Sequence, residues 1–189
     1  FSLFDQDTDK KKPKRVLRPY QEDAVSSTID AYNNGIRRMV LSLAMGLGKT
    51  MIASHIIPRL PNNGNRHQTL WLAHRTELIE QARDSIMESN PDLSVEIEQA
   101  DSKANPNTDV IVASVPTLGR RGSNRIEKFD PSRFKLVAVD ETHHATSDSY
   151  IRILDYFGAR DDNSPIAVVG LTATPKRADN QGLDKVFTD

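Results

Sequence analysis

Two stretches of this chain hold residue types that together could handle a nucleotide's phosphates. Leu41 to Thr50, reading Leu-Ser-Leu-Ala-Met-Gly-Leu-Gly-Lys-Thr, pass from an apolar run through a glycine-containing loop into Lys-Thr at the head of a helical pattern. Gly46 and Gly48, on either side of Leu47, allow backbone conformations closed to residues with a Cβ. Several N–H groups can then converge on one anion, where the helix dipole also favours negative charge. From there Lys49 can reach β- and γ-phosphates, and the Thr50 hydroxyl can sit on a magnesium ion. The general pattern has glycine six residues before the lysine; here that position is Leu43. Read alone, the stretch is also compatible with a plain glycine turn between a strand and a helix.

The second stretch is Asp140-Glu141, which ends the apolar run Lys135 to Val139. Adjacent carboxylates are usually solvated surface groups. Beside a phosphate loop they match what phosphoryl transfer needs, a carboxylate for the metal shell and a group that orients or deprotonates water. Gln21, shortly before the loop, is a polar first-turn residue in isolation, yet its amide can both donate to and accept from an adenine edge. His143 and His144 raise zinc as a rival, but two histidines without cysteine or correctly spaced partners do not make a zinc site.

These residues need elements to hold them. A helix is predicted after Pro19, with Val25, Ile29 and Tyr32 on one face and Asn33-Asn34-Gly35 as its stop. Strands are predicted at the apolar run before the glycine loop, at Thr69 to Ala73, at Val95 and Ile97, at Asp109 to Ala113, at Lys135 to Val139, and at Pro165 to Leu171. Helices are read at Leu78 to Ile86 and at Tyr150 to Phe157, capped by Gly158. Apolar strands without polar alternation, alternating with helices, indicate an α/β fold with a mostly parallel sheet and helices on both faces. Such folds bind ligands at the carboxyl ends of strands, where every polar cluster named here falls.

The whole-chain composition sets bounds. The 189 residues fit one domain with a real core, and a net charge of -1 confines any nucleic-acid site to a local patch. With no cysteine there is no disulfide, cysteine-ligated zinc or thiol chemistry, which fits an intracellular compartment. The longest apolar run, Ile166 to Leu171, is far short of the ~20 residues of a membrane helix. Lys10, Lys11, Lys12, Lys14, Arg15 and Arg18 form a basic run, read as a solvated arm or as a phosphate-contacting one. A start at Phe1 and a stop just beyond a motif-rich region suggest a piece of something longer.

Six motifs in order resemble those of superfamily 2 helicases and translocases: Arg-Pro-Tyr-Gln, Ala-Met-Gly-Leu-Gly-Lys-Thr, Leu-Ala-His-Arg-Thr-Glu-Leu, Ala-Ser-Val-Pro-Thr-Leu, Val-Asp-Glu-Thr-His-His-Ala and Gly-Leu-Thr-Ala-Thr-Pro. The likeness covers residues 17 to 187 and is greatest to the group that includes restriction translocases, repair helicases and mitochondrial branch-migration helicases. It implies a RecA-like P-loop domain at 17–189 behind a basic arm at 1–16, with a second RecA-like domain lying outside this chain. It also implies that Gln21, with Arg18 nearby, reads the adenine of ATP. Gly46, Leu47, Gly48, Lys49 and Thr50 would hold phosphate, Thr50 and Asp140 Mg2+, and Glu141 the water. His74, Arg75, Pro116 and Thr117 would lie along nucleic acid, while His143, Thr172, Ala173 and Thr174 would couple the two sites.

The expectation is therefore the ATP-binding domain of an ATP-dependent DNA helicase or translocase acting on duplex or branched DNA. As an isolated chain it is expected to be a monomer and nearly inactive. An RNA helicase fragment and a non-enzymatic nucleotide-dependent clamp are the alternatives. The resemblance adds the mitochondrion as a compartment, beside nucleus and cytoplasm.

Overall fold

The computed structural model describes residues 15–44, 48–141 and 147–173. Six strands form one sheet: β1 Arg38–Ser42, β2 Gln68–Ala73, β3 Val95–Glu98, β4 Val110–Ser114, β5 Phe134–Asp140 and β6 Ala167–Thr172. Their order is β1-β6-β5-β2-β4-β3, and every pairing is parallel. Parallel neighbours cannot be joined by a hairpin, so the connections cross over the faces, with helices in all but the one from β3 to β4, where residues 99–109 form turns and an isolated bridge. The described helices are α1 Pro19–Asn33, α2 Lys49–Arg59, α3 Thr76–Ser89, α4 Val115–Gly119 and α5 Asp148–Tyr156, with two 3-10 turns at Arg125–Lys128 and Pro131–Arg133.

The sheet separates two apolar cores. Trp71 and Ala73 of β2 face Val25, Ile52, Ile56, Ile79 and Ile86 from α1, α2 and α3, while Leu70 and Leu72 face Phe129, Tyr150, Ile153 and Phe157 on the α4–α5 side. The side-chain period of two survives inside fully buried strands, although both faces are apolar and the sequence shows no alternation. β1 departs from that picture. As an edge strand it buries Met39 but leaves Val40 39% exposed, so it does alternate.

Register aligns the carboxyl ends on one edge. Ser42 lies opposite Thr172, Leu171 opposite Asp140, Val139 opposite Leu72, and Ala73 opposite Ser114. The polar residues that follow these positions therefore form one row. Local signals hold the frame: Pro19 opens α1, Gly35 at φ +91° follows its end, and Gly158 at φ +67° follows α5. The basic arm expected at residues 1–16 lies almost wholly outside the described residues, Lys10, Lys11, Lys12 and Lys14 among the residues left out.

Candidate active site

Gly48 and Lys49 start α2 directly after the glycine loop. Gly48 is the N-cap residue with φ +78° and ψ +42°, a left-handed conformation that glycine takes without strain. Gly46 and Leu47 lie outside the described residues. The Lys49 ammonium sits 3.1 Å from Glu141 Oε1 and 3.3 Å from Asp140 Oδ1. These carboxylates come from the end of β5, with β6 lying between it and β1. Three charged groups thus meet across the strand that ends in Thr172.

The carboxylates are held differently. Asp140 is only 2% exposed and accepts the Glu141 backbone N–H at 3.0 Å. Glu141 is partly exposed and takes φ +57°, a left-handed conformation unusual for a residue with a side chain. Strain of this kind persists where the surrounding structure over-determines it, and it recurs at functional sites. Burial raises the Asp140 pKa against the opposing pull of Lys49. Burial also works against the Lys49 charge, but Asp140 and Glu141 outweigh it and its pKa is raised. The Lys49 ammonium is thus held charged between the two carboxylates. Tyr150 packs from the α5 side, its pKa raised by burial and by the two carboxylates.

Gln21 reaches the same place from α1. It is 5% exposed, and its Oε1 accepts the Arg18 backbone N–H at 2.9 Å, satisfying a helix-start donor. Its Nε2 lies against Gly48, 2.6 Å from where a Cβ on that residue would stand. A cavity of about 300 Å³ opens there, lined by Arg15, Arg18, Tyr20, Gln21, Gly48 and Met51. An amide edge, an aromatic ring and arginines beside a helix N-terminus suit a planar base joined to phosphates. From sequence Arg15 is read only as part of the basic arm and Tyr20 only as part of the Arg-Pro-Tyr-Gln motif; for a base-binding role of Tyr20 the available signal is an aromatic directly before the amide.

Thr50 follows Lys49 in the first turn of α2 and is partly buried. Among the described residues no group of three or more His, Cys, Asp or Glu could hold a metal ion. Magnesium does not need such a cage, since it is typically held by one or two protein groups together with substrate phosphates. A hydroxyl and a carboxylate flanking the loop fit that mode.

The remaining candidates continue the row. His74 and Arg75 are exposed after β2, and Arg75 caps α3, its carbonyl accepting from Ile79 N–H at 3.1 Å. Pro116 is exposed in the first turn of α4, and Thr117 Oγ1 accepts the Ala100 N–H at 3.3 Å. Thr172 is buried, its carbonyl accepts from Leu43 N–H at 3.1 Å, and Ala173 follows it partly buried. His143 and Thr174 lie outside the described residues. The structure therefore joins Lys49, Asp140 and Glu141 in one charged cluster and sets Gln21 against Gly48 at the start of the same helix, and places His74, Arg75, Pro116 and Thr117 farther along the edge, over β2 and β4.

Comparison with known proteins shows the family and the fold. Residues 14–177 match the protein family described as type III restriction enzyme, res subunit. A Schizosaccharomyces pombe protein provisionally named mitochondrial ATP-dependent helicase irc3 is 45% identical over 88% of this chain and 27% of its own length. A Saccharomyces cerevisiae protein, provisionally named ATP-dependent helicase IRC3, is 40% identical over 91% of this chain and 25% of its own. Among solved structures, the Sulfolobus solfataricus SWI2/SNF2 ATPase core in complex with double-stranded DNA superposes with a TM-score of 0.70 at 17% identity, covering 93% of this chain and 36% of that one. That likeness concerns the fold.

Proposed function

Because this chain belongs to the family described as type III restriction enzyme, res subunit, and has the RecA-like fold of helicase domains, we propose that it is the ATP-binding half of a DNA helicase or translocase motor. The observation that carries the proposal is the meeting of Lys49 with Asp140 and Glu141 at 3.1 to 3.3 Å, across β6, beside a left-handed Gly48. An ammonium held by two carboxylates at a helix N-terminus is poised to exchange them for phosphate oxygens.

In this reading Gln21 pairs with the adenine edge of ATP, and Gly46, Leu47, Gly48 and Lys49 hold its phosphates. Thr50 and Asp140 hold Mg2+, which when bound neutralises charge developing on the transferred phosphoryl group. Lys49 leaves the carboxylates for the β- and γ-phosphates. Glu141, freed, orients the attacking water and accepts its proton. His74, Arg75, Pro116 and Thr117 line a duplex or branched DNA backbone. Thr172, Ala173, Thr174 and His143 stand between that track and the nucleotide, where they couple the two.

The chain spans about a quarter of the length of the curated relatives described above. We assign to the remainder of the polypeptide a second RecA-like domain that supplies an arginine to the γ-phosphate. An arginine of this kind is worth ~10³ to 10⁵ in rate in related nucleotide hydrolases. This chain alone is then a monomer that binds ATP and scarcely hydrolyses it. The name of the Schizosaccharomyces pombe relative supports a mitochondrial site of action, testable by organelle fractionation.

The test is steady-state phosphate release from the 189-residue chain and from the longer protein, each with a Glu141→Gln control. The longer protein should show turnover stimulated more by duplex DNA than by RNA, abolished in the Glu141→Gln variant while ATP binding survives. Stimulation by RNA alone would favour an RNA helicase. Nucleotide-dependent nucleic-acid binding without turnover would make it a clamp. Equal turnover by the short chain would refute the half-motor reading.

A further inference from the structure

Another cavity, of about 250 Å³, opens at the amino ends of β4 and β5, on the side of the sheet opposite the glycine loop. Ile57 and Pro58 of α2, with Leu93 and Val110, give it aliphatic walls. Two charged side chains, Lys135 and Asp109, share the space with them.

Lys135 reaches the cavity through an irregularity in β5. Gln68 pairs with Phe134 and Thr69 with Leu136, which leaves Lys135 as the extra residue of a bulge, a feature that re-aims a side chain. Its ammonium turns to the end of α2. There it donates to the carbonyl of Leu60, the C-cap residue, at 2.8 Å and to Asn62 Oδ1 at 3.0 Å. A helix C-terminus favours a cation, but both acceptors are neutral. Lys135 is 5% exposed, and among the described residues no carboxylate pairs with it. Lysine is almost never buried so completely without an anion. Burial accordingly lowers its pKa.

Asp109 is the opposite case. Its Oδ2 accepts the Ser94 N–H at 2.9 Å and the Ser94 hydroxyl at 3.0 Å, while Oδ1 accepts nothing among the described residues and no cation there pairs with the carboxylate. Val110 and Leu136 flank Thr69 in register, so Asp109 and Lys135, one residue before each, stand two strand spacings apart, ~10 Å between backbones. Opposite charges thus face one cavity without meeting. An ion of one sign would be attracted by one of them and repelled by the other, whereas a molecule carrying both signs satisfies the two together.

We infer that this cavity binds a free α-amino acid with an aliphatic side chain. Its carboxylate meets Lys135 and the Asn62 amide, its ammonium meets Asp109 Oδ1, and its side chain packs on Ile57, Pro58, Leu93 and Val110. A few convergent polar groups set among apolar walls are the usual make-up of a small-molecule pocket. The site is separate from the nucleotide cleft and does not depend on the motor reading: α2 runs from Lys49 at the glycine loop to Leu60 here, so the two lie at opposite ends of one helix.

The experiment titrates L-leucine into the 15N-labelled 189-residue chain and follows backbone amide shifts, with isocaproate and isoamylamine as analogues that lack the ammonium or the carboxylate. Leucine should saturate with a dissociation constant of about 1 mM or below, shifting amides around Asn62, Leu93 and Val110, and each analogue should bind about tenfold or more weakly. Lys135→Met should reduce leucine to the affinity of isoamylamine, and Asp109→Asn should reduce it to that of isocaproate. Should Lys135→Met fail to fold, Asp109→Asn and the two analogues still decide the matter. No saturable shift by about 10 mM leucine would overturn the site. Isocaproate binding as tightly as leucine would make it an anion pocket, isoamylamine doing so a cation pocket, and glycine doing so would remove the role of the aliphatic walls; each of these overturns the inference.

Discussion

Gln21 Nε2 stands 2.6 Å from the point that a Cβ on Gly48 would occupy, so the amide of α1 and the start of α2 are fitted to each other with no room for a methyl group. Gly48→Ala therefore carries two costs. The left-handed φ of +78° becomes unfavourable by about 1 to 2 kcal/mol, and the amide must move. ATP affinity should fall by at least about tenfold, by roughly 1.4 kcal/mol or more. Gln21→Ala should erode preference for ATP over GTP, and in the double variant the steric part of the Gly48→Ala effect should vanish. Calorimetry on the four proteins measures this coupling. Strictly additive losses would show that the contact does not matter.

Lys49→Ala should do more than remove a phosphate ligand. Asp140, 2% exposed, would lose its cation and keep its burial, so its pKa should rise further. ATP binding should drop sharply while the protein stays folded. If the folded variant binds ATP as the parent does, the assignment of the glycine loop is wrong.

Glu98 is fully buried on β3 and receives three donors: Arg125, the Lys128 ammonium at 2.6 Å and the Ala104 N–H at 2.7 Å. Removing one partner of a buried ionic cluster leaves the others uncompensated and typically costs about 3 to 5 kcal/mol. Glu98→Ala should lower the urea midpoint by a corresponding amount and leave ATP affinity unchanged, since the cluster ties β3 to Ala104, Arg125 and Lys128 and touches neither Gln21 nor Lys49. A midpoint within experimental error of the parent would contradict this account.

Lys135 is the buried cation at the opposite end of β5, donating to the Leu60 carbonyl at 2.8 Å and to Asn62 Oδ1 at 3.0 Å. Burial lowers its pKa to about 8. The unfolded chain, with an ordinary lysine, then binds more protons between about pH 8 and 10.4, so this residue's contribution to stability improves as pH rises through that window. Below about pH 8 its burial is a constant cost, opposed by its hydrogen bonds to Leu60 and Asn62. Lys135→Met should remove the alkaline gain. The check is the difference in Tm between parent and variant from pH 7 to 10, which should shift toward the parent as pH rises; a flat difference would refute it.

Much of this architecture could be read from sequence because its strands are buried on both faces. Their apolar runs stand out, and the residues that end them, such as Asp140 after Val139, had to fall on one edge. The motif order then gave the cleft its candidate residues. What remained hidden depends on distant partners. Glu98 looks like the solvated repeat of Glu96 until Arg125 folds over it, and Lys135 reads as a strand's first residue until Leu60 and Asn62 close on it. The contact of Gln21 with Gly48 joins two helices that no periodicity relates. α4 is too short to show a period at all, and the exposure of Val40 follows from β1 being at the edge, which only the strand order reveals.

The strand order also bears on how the chain is made. β1, which leads into the glycine loop, pairs among the described strands only with β6, and β2 pairs only with β4 and β5. As the polypeptide leaves the ribosome, the first two of these strands to emerge are therefore not neighbours in the finished sheet. Among the described strands, β1 has no partner until residues 167–172 have been synthesised. Its hydrogen-bonding edge is unpaired throughout that interval, when aggregation is most favoured. Lys49 begins the helix that follows β1, so its meeting with Asp140 and Glu141 across β6 should form only once that strand has docked.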